Sequence, residues 1–356
     1  MSSTLSSNAA VVTPSAEHAD PATTSSATIM AREAAEAPQR IAEQLQANTG
    51  TVAAVVAAIK QRAPRYVYMV GRGSSDHAGV YGKYLIETEL GLPVVAAAPS
   101  IASVYQKQLQ LQDALVIVIS QSGRSPDILA QLAMAKASGA MVVALVNDTS
   151  SPLAAEADYV LPLFVGPEKA VAATKSFLAT LSALLQLVSV WSGDVALLQA
   201  VNQLPQLLRQ AQQLPAQLTA TAVAAVAHGV VLGRGPGYAI AREIALKLKE
   251  VCGIHAEAFS SAEFLHGPVT LVKTNFAIID VTIHDEAHSA HRAQIDEVTR
   301  RGASVIGLHH AALSCHPRVL PLLVLQRFYL DVEAVARARG VDPDAPPGLN
   351  KVTKTL

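Results

Sequence analysis

A junction that occurs twice constrains this chain most. Tyr66-Val67-Tyr68-Met69-Val70 is a β-branched and aromatic run that stops abruptly at Gly71-Arg72-Gly73-Ser74-Ser75, and a helix-compatible stretch, Asp76–Leu90, follows. The alternation continues, with strands predicted at Pro93–Ala98, Ala114–Ser120, Met141–Val146 and Tyr159–Phe164. Helices are predicted from Pro126 and over the apolar stretch Ala172–Val190. Strands this uniformly apolar, alternating with helices, imply a parallel sheet covered on both faces. The second half then repeats the design: Val230-Val231-Leu232-Gly233-Arg234-Gly235 echoes Met69-Val70-Gly71-Arg72-Gly73 ahead of another helix. Further strands are predicted at Phe276–Val281, Ser304–Leu308 and Val319–Leu325. The same junction in both halves points to two copies of one α/β unit. Ahead of them, Met30–Ala47 carries Ile41 and Leu45 on a polar background and is predicted as a surface helix. These signals divide the chain into a disordered leader (1–28), a first unit (29–195), a Gln- and Pro-rich helical connector (196–227), a second unit (228–340) and a tail (341–356).

Composition narrows the function classes. The 356 residues are 51% hydrophobic and only 4% aromatic, as in packed α/β layers. A net charge of −1 with no basic run disfavours nucleic acid as a partner. The two cysteines, Cys252 and Cys315, form no CxxC pair, which argues against a disulfide framework or cysteine-zinc site and fits a reducing, cytoplasmic setting. No stretch reaches the ~20 apolar residues that span a bilayer, so no membrane partner is expected. The Ser-, Thr- and Ala-rich start lacks the basic and apolar blocks of a signal peptide.

Two segments carry chemistry. Ile119-Ser120-Gln121-Ser122-Gly123-Arg124-Ser125-Pro126-Asp127 follows a buried strand and opens a helix. Ligands of open parallel sheets bind at such strand ends, where free helix N–H groups and the positive dipole end favour an anion. Ser125 suits the N-cap and Pro126 the first helical position. Ser120, Ser122 and Ser125 add hydroxyls, Gln121 an amide, and Ser74 and Ser75 lie at a second strand end. The segment reads as a phosphate cradle or, more plainly, as a capped turn. Pro236 and Gly237 replace those hydroxyls in the second copy, so only the first is expected to hold phosphate.

The second segment is helical. Glu243, Lys247 and Glu250 are spaced i, i+4, i+7 and share one face. They read either as a solvated ion-paired face or as a carboxylate tuned by a neighbouring ammonium for general-base work. Downstream, His266 precedes a Gly-Pro break at an element end. His255-Ala256-Glu257-Ala258-Phe259 lacks HExxH spacing, and no metal is expected.

These residues together resemble the sugar isomerase (SIS) family, in particular the isomerase half of glucosamine-6-phosphate synthase and the SIS-type glucosamine-6-phosphate deaminases. The likeness runs from about Met30 to Leu356. Gly73–Gly79 is similar to GTSxHAG, Ser120–Gly123 with Ser125 to the SQSGxT loop, and Ala172–Phe177 to ASTKAF. Ala245–Glu250 matches ALKLKE, Glu263–Pro268 resembles ELKHGP, and Pro347–Lys351 resembles PRNLAK. The resemblance implies two tandem SIS units, each a flavodoxin-like three-layer sandwich. It implies that Ser74, Ser120, Gln121, Ser122 and Ser125 hold phosphate and that Glu250 shuttles a proton between C1 and C2. Lys247 and Glu243 would orient Glu250, and Val171 and Asn350 would line the sugar pocket. His266 would assist ring opening from across a homodimer, and Lys351 on the tail would approach the carbonyl. Ser125 stands where threonine is usual, Ala173 where serine is, and Asn350 where a small residue is.

The expected activity is glucosamine-6-phosphate deamination to fructose 6-phosphate and ammonia, with no cofactor. No glutaminase domain or cysteine nucleophile precedes Met30, which favours breakdown over synthesis. An aldose–ketose phosphate isomerase, a deglycase of sugar-phosphate amines and a non-catalytic sugar-phosphate-binding regulator are the alternatives. Two units and the absence of a DNA-binding segment weigh against the regulator.

Overall fold

The computed structural model describes residues 27–310, 313–349 and 351. Most of the 1–28 leader therefore lies outside the described residues, as does Asn350. The first half runs α1 (Ile29–Arg62), β1 (Tyr66–Val70), α2 (Ser74–Leu90), β2 (Val94–Ala96), α3 (Ser100–Ser103), β3 (Ala114–Ser120), α4 (Pro126–Ala137), β4 (Met141–Val146), α5 (Pro152–Glu156), β5 (Tyr159–Pro162) and α6 (Lys175–Ser192). Helix α7 (Val195–Gln212) occupies much of the connector. The second half runs β6 (His228–Gly233), α8 (Pro236–Cys252), β7 (His255–Ser260), α9 (Ser261–Phe264), β8 (Ala277–Val281), α10 (His288–Arg300), β9 (Ser304–Leu308) and α11 (Leu320–Ala338).

The strands form two fully parallel sheets, ordered β2-β1-β3-β4-β5 and β7-β6-β8-β9. This is the α/β architecture the alternation demands. β3 and β4 are buried at every residue, so they carry no polar alternation. A single apolar core joins the two units: α1, α2, α6, α7, α8 and α11 fill the space that one face of each sheet covers. The other face of the first sheet packs on α4, and that of the second on α10 and Phe264. In each sheet the chain reverses direction of winding beside its first strand. The crevices therefore open between β1 and β3, and between β6 and β8, at the carboxyl ends of the strands.

The repeated junction is real in geometry as well as in letters. Gly73 and Gly235 precede α2 and α8 with φ 52°, ψ −127° and φ 55°, ψ −134° respectively, a conformation open only to glycine.

Three expectations change. The predicted strand Val319–Leu325 is the start of helix α11, and every residue from Leu320 to Gln326 is buried. A helix buried all round shows no polar stripe, and an apolar run alone does not separate it from a strand. Helix α1 is no surface helix ending near Ala47. It continues to Arg62 and buries Ile41, Leu45, Val52, Val55 and Ile59. Strand β7, with the mixed sequence His-Ala-Glu-Ala-Phe-Ser, was not anticipated.

Helix α6 is apolar and long enough to cross a membrane by composition, but 83% of it is buried inside the protein. It is a core helix.

Gly235→Ala is expected to destabilise the fold by about 1–3 kcal/mol, the typical strain of such a backbone position. Thermal unfolding checks this, and the first unit's crevice should keep its ligand affinity.

Candidate active site

The crevice between β1 and β3 is built from two turns. After Ser120 the chain folds back so that the Gly123 N–H donates to Ser120 Oγ at 3.0 Å. Gly123 has φ +63°, and a Cβ there would fall 2.2 Å from Ser151 Oγ, so this turn admits only glycine. The Gln121 carbonyl accepts N–H groups from Asn147 and Asp148, which ties the loop to the end of β4. Ser125 sits at the N-cap of α4 with Pro126 next, yet its hydroxyl makes no capping bond and is left for a ligand. Arg124 is drawn away onto Asp148 at 2.8 Å. The result is a cleft of about 190 Å³ lined by Arg72, Ser75, Ser120, Gln121, Ser122, Ser125 and Lys351. It is smaller than the ~300–1,000 Å³ of pockets for drug-sized ligands and suits a small anionic group at a helix start. Arg72 is braced by Asp127 at 2.7 Å. The four Ser-Gln-Ser…Ser residues of the loop are thus together, and Ser75 joins them. Ser74 does not line the cleft; its hydroxyl donates instead to Glu243 Oε1 at 3.1 Å.

That bond leads into a buried chain of charges. Glu243 and Lys247 on α8 have side-chain exposures of 0% and 1%, so their shared face is no solvated one. Lys247 Nζ lies 3.3 Å from Glu243 Oε1 and 2.6 Å from Glu250 Oε2. Glu243 is also met by His77 Nδ1 at 2.9 Å and accepts a bond from the Tyr329 hydroxyl at 3.4 Å. Burial alone would push the Glu243 carboxyl up. Lys247, His77 and Ser74 more than offset it and hold the pKa down at about 2. Burial likewise pulls the Lys247 ammonium down, but the two flanking carboxylates raise it above the ordinary lysine value. Lys247 therefore stays charged and cannot itself serve as a base near neutral pH. Burial and Glu243 push the Tyr329 phenol well up, so it remains a donor. Glu250, with 23% side-chain exposure, is the end of this chain that reaches solvent. The arrangement presents one carboxylate, fixed by an ammonium that is itself fixed from behind.

The tail brings in a second ammonium. Lys351 Nζ donates to the Ala170 carbonyl at 2.7 Å and to Glu168 Oε2 at 3.3 Å. Glu168 is buried at the start of α6, where it accepts the Thr174 and Ser176 N–H groups and the Ser176 hydroxyl at 3.0, 3.1 and 2.6 Å. The backbone N–H of Val171, in the same loop, donates to the Asp344 carbonyl. His266 lies apart: it is exposed, and its side chain makes no hydrogen bond among the described residues. No group of three or more potential metal ligands occurs among the described residues.

The SIS domain profile matches residues 62–190 and 214–315. The chain belongs to the SIS family. A solved SIS-fold chain from Silicibacter pomeroyi DSS-3, assigned as a phosphosugar isomerase, is 39% identical with a TM-score of 0.84, covering 89% of this chain and 100% of its own. The C-terminal domain of glucosamine-fructose-6-phosphate aminotransferase from Francisella tularensis is 25% identical with a TM-score of 0.78, covering 91% of this chain and all of that one. The isomerizing glutamine–fructose-6-phosphate aminotransferase of Symbiobacterium thermophilum is 34% identical over 90% of this chain. This SIS chain spans 58% of that relative's length.

Four residues of the SIS site escaped the sequence reading: Arg72, His77, Glu168 and Tyr329. His77 lay inside the recognised Gly73–Gly79 segment and was the one with a local signal. Arg72 meets Asp127 across 55 residues and Tyr329 meets Glu243 across 86, while Glu168 has near partners in Thr174 and Ser176 but meets Lys351 across 183.

Replacing Glu243 by Gln leaves Lys247 with one carboxylate fewer, and breaking such a buried pair costs about 3–5 kcal/mol. The sign of the pH dependence follows from the depressed pKa. Glu243 stabilises the fold fully above its ordinary value of 4.5 and loses that contribution as pH falls toward about 2. The gap in unfolding free energy between wild type and Glu243→Gln should accordingly narrow between those two pH values, as followed by thermal or denaturant unfolding.

Proposed function

We propose that the chain is a sugar-phosphate isomerase of the amino-sugar kind, which opens glucosamine 6-phosphate and converts it to fructose 6-phosphate and ammonia. The observation that carries this reading is the continuity between the serine-lined cleft and the Glu250 carboxylate. Ser75 lines the cleft, while its neighbour Ser74 bonds Glu243, which fixes Lys247 and through it Glu250. The similarity to glutamine–fructose-6-phosphate aminotransferases supports a hexose 6-phosphate and an amino group as the reacting parts.

In this mechanism Ser120, Gln121, Ser122, Ser125 and Ser75 bind the phosphate with the first turn of α4. Glu250 removes the proton from C2 of the open-chain amino aldehyde and returns it to C1 of the resulting enolamine, while a proton passes from the nitrogen to the C1 oxygen to leave fructosimine 6-phosphate. Moving a proton α to a carbonyl needs a positioned base and electrostatic support for the charge that develops on oxygen, not a redox cofactor. Lys247 supplies support by staying charged, and Lys351 stands at the carbonyl end of the sugar. Water then adds to the fructosimine 6-phosphate and ammonia leaves. Val171 lines the sugar pocket. His266 assists ring opening in the site of a second copy, which makes the working unit a homodimer. A second reading, a plain aldose–ketose phosphate isomerase, draws on the likeness to the S. pomeroyi protein and uses the same proton shuttle.

Incubation with glucosamine 6-phosphate should release ammonia and fructose 6-phosphate in equal amounts. Glu250→Gln should lower turnover by about 10²–10⁴-fold, the range for loss of a general base. Interconversion of fructose and glucose 6-phosphates without ammonia release would select the second reading. Thermal stabilisation by the amino-sugar phosphate with neither activity would overturn both.

A further inference from the structure

The tail that carries Lys351 is held at its ends. Asp344 places its carboxylate on the N-terminus of α1, accepting the Ile29 and Met30 N–H groups at 2.7 Å each. Its own carbonyl accepts the Val171 N–H at 3.2 Å. Pro343 and Pro346 are buried, whereas Pro347, Gly348 and Leu349 are exposed. Three prolines in so short a stretch stiffen it and limit the directions it can take. At the far end Lys351 meets Glu168, which is itself seated on the N-terminus of α6. Both anchors thus use the same physics, a carboxylate on free helix N–H groups at the positive end of a dipole. The two ends also share one reference frame. Glu33 of α1 accepts the Lys169 and Ala170 N–H groups at 2.6 and 3.2 Å, so the loop bearing Glu168 is pinned to the same helix that Asp344 caps.

We propose that Asp344 and Glu168 are the positioning residues of Lys351: Asp344 is the fixed anchor of a proline-stiffened strap, and Glu168 is the dock that holds the ammonium beside the phosphate cleft. Neither touches the sugar. They act through Lys351, and the kinetic part of the test rests on the function proposed above. The docking part does not.

The test uses the full chain with Glu168→Gln and Asp344→Asn. Each protein is treated with acetic anhydride, and the rate at which individual lysines are acetylated is read by mass spectrometry. Lys351 has 28% side-chain exposure and is reactive only as far as its dock lets it move out to the reagent. It should acetylate several-fold faster in both variants, while Lys247, which is buried on α8, stays protected. With glucosamine 6-phosphate, kcat should fall by about ten- to a hundredfold, more than KM changes, because misplacing a reacting group by ~1 Å has that scale of effect and the serine loop of the phosphate cleft is unaltered. Glu168→Asp, which keeps the charge, should recover part of the loss. Unchanged Lys351 acetylation in both variants would overturn the proposal. So would equal acceleration at Lys247, which would mean general loosening. If the wild type shows no turnover yet Lys351 is selectively released, the strap stands and the proposed activity falls.

Discussion

A carboxylate with no solvent contact needs its charge answered from every side, and Glu243 is answered from three helices. Lys247 comes from α8, Ser74 and His77 from α2, and Tyr329 from α11. Removing a charge from water costs several kcal/mol unless such partners are in place. The first and second units therefore cannot pack in just any register across their common core. The arrangement that satisfies Glu243 also sets the start of α2 against α8 and so brings Glu243 to Ser74, next in sequence to the cleft-lining Ser75. The fold's most demanding electrostatic requirement and the geometry of its site are the same requirement.

The division of labour between the units follows. Both carry the strand–Gly-Arg-Gly–helix junction in matching backbone conformation. The first lines its crevice with the serines of the loop after β3, while the second contributes a helix whose charges face its neighbour. Helix α1 adds a third contribution as a long strut. It packs along α6 and α7 and braces both the loop bearing Glu168 and the base of the tail.

What the sequence revealed depended on range. β3, β4 and β9 were readable to the residue because each is a short run rich in Val, Ile and Leu, bounded by turn residues and flanked by helices. The cradle was readable because its chemistry lies within a few residues of one strand end. Helix α11 was misread because burial on all sides erases the period that distinguishes helix from strand. The second half of α1 was missed because Asn48-Thr49-Gly50 reads as a turn that would end a helix. The partners of the charged residues were beyond reach for a different reason. Glu243 meets His77 across 166 residues and Lys351 meets Glu168 across 183, and nothing near either residue announces the other.

Helix α6 carries a consequence for the growing chain. Its apolar length would suit a lipid bilayer as well as a protein interior, so what keeps it in water is prompt cover. Synthesis proceeds from the N-terminus, so α1 and α2, which flank it, have already emerged when α6 leaves the ribosome. α7 follows directly, whereas α11 arrives only near the end of translation. The order of elements along the chain thus matches the order in which greasy surface must be hidden, and a long early helix acts in effect as an in-built chaperone for the one that needs it most.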